Sequence, residues 1–213
     1  RYGFLWHFDG SSWVSVPLPD DVPLDASGEL PGLFKVWGRS AGDVYAVGGH
    51  GLMLHYDSKA WKVVPTETTD TLFTVHGDAD GVVVVGGASN GVVLDQNGKK
   101  VGPANAPLLQ GVFKAADGTT WVSGEKGTLF RRKAGADWEL ISTDLTPTPM
   151  SLHAIWSDPG GSVWSAGGNV LTAALDKGFL WRFATSKAPV VEALQPDPPP
   201  AAACPEGRAD IAP

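Results

Sequence analysis

The chain repeats itself with a period of about forty residues, and this constrains its fold more than any other feature. The stretch GLMLHYDSKAW from Gly51 is matched without a gap by GFLWHFDGSSW from Gly3. Both place a histidine shortly after the glycine (His55, His7), then an aromatic residue and an aspartate, and both end on a tryptophan (Trp61, Trp13). Weaker copies begin at Gly91, Gly127 and Gly178. A second element precedes four of the copies: DVYAVGG at 43–49, GVVVVGG at 81–87, TTWVSGE at 119–125 and SVWSAGG at 162–168. A third precedes that one: FKVWG at 34–38, FTVHG at 73–77, QGVFK at 110–114 and HAIWS at 153–157. Aligning Val36, Val75, Val112 and Ile155 gives steps of 39, 37 and 43 residues.

Each unit reads as four short strands. FKVWG and LMLHYD alternate with a period of two, VYAVGG is a β-branched and aromatic run, and a last segment surrounds Trp61. Turn residues separate them, as in RSAGD, GGHG, DSKA, DADG and DPGG. Four antiparallel strands at this period form the blade of a β-propeller. The expected fold is therefore all-β, with a propeller over 1–193. It comprises a partial blade at 3–19 and full blades at 33–66, 72–104, 109–143 and 152–193, the last with an insertion at 169–177. That is about four and a half blades. An open ring exposes strand edges, and nothing after residue 193 resembles VWG or VYAVGG, which favours a part of a six- or seven-bladed parent over a closed five-bladed ring. The segment 194–213 is rich in Pro and Ala and reads as a linker or tail; Cys204, the sole cysteine, lies in it.

All nine tryptophans fall at repeat positions, among them Trp13, Trp37, Trp61, Trp138 and Trp156. Repeat-equivalent rings point to packing between facing sheets, ahead of a carbohydrate-binding aromatic platform. Gly51 belongs to the same structural set. The net charge of −7 argues against a nucleic-acid partner, and no apolar run approaches the length of a membrane-spanning helix.

The five histidines are the obvious candidates for chemistry. His7 and His55 share a repeat slot whose other occupants are Asp95, Arg131 and Arg182, which reads as a solvated strand face rather than a metal site. His76 replaces the tryptophan of a first strand, as a packing or hydrogen-bonding substitute. His153, with Lys35 and Gln110 near equivalent positions, could line a central channel; Lys35, His76, Gln110 and His153 are the candidate ligand or channel residues. DQNGKK at 95–100 begins like a calcium loop, but its twelfth position would be Ala106 rather than Glu, so it reads as a type I′ style turn. No nucleophile elbow, zinc-binding helix motif or phosphate loop occurs, so no catalytic residue, metal ligand or cofactor is expected. Asp20 and Asp21 lie in the acidic, proline-rich segment PLPDDVPLDASGELPG, read as a partner-contacting or solvated loop.

VWGRSAGDVYAVGGHGLMLHYDSKAW at 36–61 resembles the repeats of secreted bacterial β-propeller proteins, in which aVWGxSxxDVYAVGxxGxIlHYDGxxW recurs. The likeness runs over residues 3–193. More distant neighbours are Asp-box, photosystem II assembly-factor and kelch propellers. AADGTTW at 115–121 departs from the Asp-box spacing, so no catalytic residue carries over. The resemblance implies a secreted, periplasmic or cell-surface location. The resulting expectation is a non-catalytic scaffold that presents loops and a channel to a protein or glycan. The alternatives are a carbohydrate-active propeller with catalytic residues upstream of Arg1, and an assembly factor for a larger membrane complex.

Overall fold

The computed structural model describes residues 4–141, 150–169 and 178–183, and within them the chain is all-β. Among the described residues, sixteen strands form five consecutive antiparallel sheets. The first sheet is β1 (Leu5–Phe8) with β2 (Trp13–Val16). The second holds β3 (Leu33–Ser40), β4 (Asp43–Gly48), β5 (Met53–Tyr56) and β6 (Trp61–Val63). The third is β7 (Thr71–Asp78), β8 (Gly81–Gly87) and β9 (Gly91–Asp95). The fourth is β10 (Leu109–Lys114), β11 (Thr120–Gly124), β12 (Leu129–Arg132) and β13 (Glu139–Ile141). The fifth is β14 (Ser151–Ser157), β15 (Val163–Gly168) and β16 (Gly178–Phe183). Each sheet is a meander in chain order, and β3, β7, β10 and β14 adjoin in succession as the innermost strands. This is the blade arrangement of a propeller.

The core lies between blades rather than within any one of them. Tyr45, Val47 and Met53 of the second blade meet Leu72, Val75, Val84 and Leu94 of the third. Val83, Val85 and Val93 meet Leu109, Val112, Val122 and Phe130. Trp121, Leu129 and Ile141 meet Ile155 and Val163. Because each central blade is covered on both faces, its second strand is buried almost throughout, and a sequence such as GVVVVGG loses the usual alternation. The acidic loop at 17–32 is not wholly solvated: Val22 is buried against Leu5, Ala46 and Leu54, with Leu18 and Leu30 beside it.

The double glycine of the second strand has a steric cause. A Cβ on Gly48, Gly86, Gly124 or Gly167 would be driven into the carbonyl of Gly32, Thr71, Leu108 or Ser151 respectively, just before or at the start of the inner strand. Only glycine lets the two backbones approach this closely. In the same junctions the backbone reaches across: the N–H groups of Gly51, Gly91 and Gly127 donate to the carbonyls of Asp70, Ala106 and Met150 ahead of the next blade.

Three expectations are corrected or fall outside the described residues. The fourth strand of the 72–104 unit is reduced to one bridge, Leu94 with Lys100, because Gly102 and Pro103 end the run and proline has no N–H for a ladder. The turn at Asp95 is not of the I′ type. Of its residues only Gly98 has a positive φ (75°), and the Asp95 side chain accepts the N–H groups of Asn97 and Lys99. The last segment of the 152–193 unit, most of the 169–177 insertion, and the 194–213 tail with Cys204 lie outside the described residues.

Tryptophan burial divides by position. Trp37, Trp61, Trp138 and Trp181 pack against interblade clusters, and Trp121 belongs to one. Trp138 also donates its Nε1–H to the Val101 carbonyl at 2.6 Å. Trp6, Trp13 and Trp156 instead keep about half or more of their surface exposed. The cross-strand registers place Trp6 and Trp13 on the face of the first sheet opposite Leu5 and Val16, which pack on the second blade. Trp156 is on the face of the fifth sheet opposite Ile155. No described blade stands against either face.

Candidate functional site

The inner strands share a second repeat feature. Pairing slips by one residue between Leu33 and Lys35, Leu72 and Thr74, Leu109 and Gly111, and Leu152 and Ala154. The residues left out of register are Phe34, Phe73, Gln110 and His153. A bulge of this kind turns two apolar residues three apart onto one face: Leu72 and Val75 share one cluster, and Leu109 and Val112 another.

Along this row the chemistry changes from aromatic to polar. The rings of Phe34 and Phe73 meet across neighbouring strands with centroids 5.7 Å apart. Gln110 is 2% exposed, and its Oε1 is buried without a hydrogen-bond partner among the described residues. His153 is exposed.

Lys35 stands one residue away from this row. It pairs with Val47 and is equivalent to Thr74, Gly111 and Ala154 rather than to Gln110 and His153. The sequence hint for the true row is Leu-x-x-Val/Ile, present at Leu33, Leu72, Leu109 and Leu152; it breaks strand alternation and marks the bulge.

His76 is not on the inner row. On β7 of the third blade, it reaches both neighbours, stacked on Phe113 of the fourth blade (4.5 Å) and tilted against Trp37 of the second (5.4 Å). Its Nδ1 accepts the backbone N–H of Lys114 at 3.0 Å, and Lys114 Nζ pairs with Asp78 at 2.5 Å. A neutral imidazole can accept this bond and an imidazolium cannot. Burial lowers the His76 pKa, with Lys35 and Lys114 acting in the same direction and Asp78 opposing them.

The sign of the pH effect follows. Folded His76 binds a proton less readily than unfolded histidine, so the unfolded state takes up more protons once the pH falls below about 6.5, and stability falls with it. Carboxylates held low, such as Asp78, give up their contribution only at more acidic pH. Urea midpoints measured from about pH 7.5 to 5 should decline in the wild type. The decline should be shallower in His76→Phe, which places there the residue found at Phe113.

The slot of His7, His55, Asp95, Arg131 and Arg182 has a specific use. In three blades its side chain stacks on the aromatic residue opposite it on the second strand. His55 lies 4.3 Å from Tyr45, Arg131 5.5 Å from Trp121 and Arg182 5.0 Å from Trp164. In the third blade Asp95 faces Val83 instead. The pairs change together, Tyr with His and Trp with Arg, a cross-strand pattern that reading one slot at a time misses. His55 Nε2 also lies 2.8 Å from Asp43 Oδ1, and Arg39 donates to Asp43 at 2.5 Å. The Arg39 guanidinium, with His55, holds the Asp43 carboxyl below its ordinary pKa. These groups are committed to one another.

A cavity of about 450 Å³ opens beside the first blade, lined by Phe4, Val16, Leu18, Val22, Leu24 and Leu30 among others. Among the described residues of its lining, Asp20 is the one ionisable side chain. Among the described residues, no three His, Cys, Asp or Glu side chains gather closely enough to hold a metal ion, and no helix is long and apolar enough to cross a membrane.

No protein-family model matches the chain, and no curated protein matches it. Among solved structures it is similar to the extracellular domain of the hybrid two-component system BT3049 from B. thetaiotaomicron, at a TM-score of 0.55 and 15% identity. That match covers 86% of this chain and 27% of the other, so the chain spans about a quarter of that structure's length. It is also similar to the computationally designed Ika4 protein, at a TM-score of 0.52 and 11% identity, over 78% of this chain and 100% of that one. At such identities the likeness is one of fold.

Proposed function

We propose that the chain is a non-catalytic β-propeller module that binds a protein or glycan partner outside the cytoplasm, at the inner-strand row of Phe34, Phe73, Gln110 and His153, with Lys35 at its margin. The observation that carries this reading is the shared bulge. One backbone irregularity, kept at one repeat position, carries four different side chains, and one of them is a buried amide oxygen with no donor among the described residues. Aromatic faces beside an amide and an imidazole suit the apolar and hydrogen-bonding sides of a peptide or a sugar ring. His55 is held by Tyr45 and Asp43, and His76 by Phe113 and the Lys114 backbone N–H. The extracellular location rests on the repeat resemblance.

The test is a glycan array and a displayed peptide library screened with the wild-type chain and with a Phe73→Ala, His153→Ala variant. The expected result is a set of hits whose affinity falls at least about tenfold in the variant, equal to ~1.4 kcal/mol. Hits indifferent to these substitutions would place binding elsewhere. Turnover of any arrayed glycan that depends on the row would make the protein an enzyme.

A further inference from the structure

The third blade departs from the repeat at its outer edge. Its fourth strand is a single bridge, Leu94 with Lys100, and the chain beyond it is held to the fourth blade instead. Val101 still donates its N–H to the Val93 carbonyl. Its own carbonyl accepts the Trp138 Nε1–H and an Arg132 N–H across the junction. A cavity of about 250 Å³ opens at this edge, with Asp70, Asn90, Val92, Lys100 and Pro103 in its lining.

The repeat supplies an internal comparison. Two residues before Leu33, Leu72, Leu109 and Leu152 stand Pro31, Asp70, Pro107 and Met150, so Asp70 is the one charged residue at its position. Lys100 lies opposite Leu94, where the other described blades place Val63 opposite Leu54, Leu140 opposite Phe130 and Ser15 opposite Trp6. Two uncharged repeat positions thus carry an acid and a base in this blade, and both line one cavity. Neither charge is taken up. Thr68 Oγ1 donates to Asp70 Oδ2 at 3.1 Å, which orients the carboxylate without neutralising it. Glu67 lies beside Lys100 but accepts its backbone N–H and the Lys99 ammonium. The ion pairs among the described residues include neither Asp70 nor Lys100 Nζ. Opposite charges that share a cavity without meeting suit a ligand that carries both.

We propose that this cavity binds a free α-amino acid with a small side chain. The ligand ammonium pairs with Asp70, and its carboxylate takes the Lys100 ammonium and the Asn90 amide. Charge-assisted hydrogen bonds at both ends supply the affinity. The volume falls below the roughly 300–1,000 Å³ of sites for drug-sized ligands, which suits a molecule this small. Val92, Val93 and Pro103 form the apolar part of the wall, where the side chain lies. The site belongs to the outer edge of the third blade and does not depend on the row of Phe73, Gln110 and His153.

The chain is titrated with glycine, alanine, serine and valine, followed by amide NMR shifts, and with N-acetylalanine and alaninamide, which each lack one of the two charges. The expected result is saturable binding of at least one amino acid with a Kd of about 1 mM or tighter, shifts centred on residues 90–93 and 100–102, and at least ~10-fold weaker binding of both derivatives. Lys100→Gln removes an exposed charge, and Asp70→Asn keeps an oxygen to accept the Thr68 hydroxyl. Each should weaken binding by at least ~10-fold while leaving the urea midpoint at the wild-type value. Absence of saturation with all four amino acids overturns the proposal. So does binding that either derivative matches, or that survives both substitutions, since the ligand would then not bridge the two charges.

Discussion

Gly51→Ala is expected to destabilise the fold by about 3–5 kcal/mol, a large part of the total stability of an ordinary domain. Gly51 has φ +70°, and a Cβ there would be driven into the Thr68 carbonyl and would stand 2.9 Å from Thr66 Oγ1. Three effects combine. A left-handed alanine costs about 1–2 kcal/mol. Moving the loop to relieve the clash costs about 1–3 kcal/mol. That movement also weakens the Gly51 N–H bond to Asp70 and the Thr66 hydroxyl bond to the Gly51 carbonyl, each worth about 1 kcal/mol. Gly10→Ala separates the contributions: Gly10 also has positive φ (102°) but nothing within 4 Å of its Cβ position, so only the backbone cost of about 1–2 kcal/mol remains. Urea unfolding of the two variants checks both figures. Equal losses would mean that the junction between blades yields freely.

Leu94→Ala is expected to cost about 2–5 kcal/mol, through lost burial and the cavity left behind. Leu94 is fully buried between the second and third blades, in the cluster that contains Tyr45, Val47, Met53 and Val84. Backbones on both sides are tied by strand pairing, so the gap cannot close by simple collapse. Leu140→Ala is the matched control. Leu140 pairs with Phe130 but is 63% exposed, and its loss should stay within about 0.5 kcal/mol. Because the third blade offers only one bridge in place of a fourth strand, hydrogen exchange in Leu94→Ala should rise first in β7 to β9.

Several functional details were open to sequence reading only after the strands were placed in register. The repeat, the strand order and the interblade use of Trp37, Trp61 and Trp138 follow from spacing and residue type. His55 could be read as a variable slot, but not as the partner of Tyr45 and Asp43, since those contacts depend on which residues lie opposite one another. A gap-free alignment places Lys35 with Gln110 and His153, because it hides the bulge. His76, which replaces a tryptophan as a packing or hydrogen-bonding substitute, does both between blades and lies off the row of channel candidates. That position follows from the face its strand presents, which the bulge earlier in β7 helps to set.

By itself the sequence determined the blade: a forty-residue period, apolar alternation, turn residues and glycines at each crossing are local properties, and each strand's neighbour lies within a few turns of chain. Only the tertiary structure decided which repeated residues are covered. Val36 and Val75 are the same residue at the same repeat position, yet one is 50% exposed and the other 1%. Burial between blades is a property of two sheets, and no single repeat carries the information that its neighbour is there.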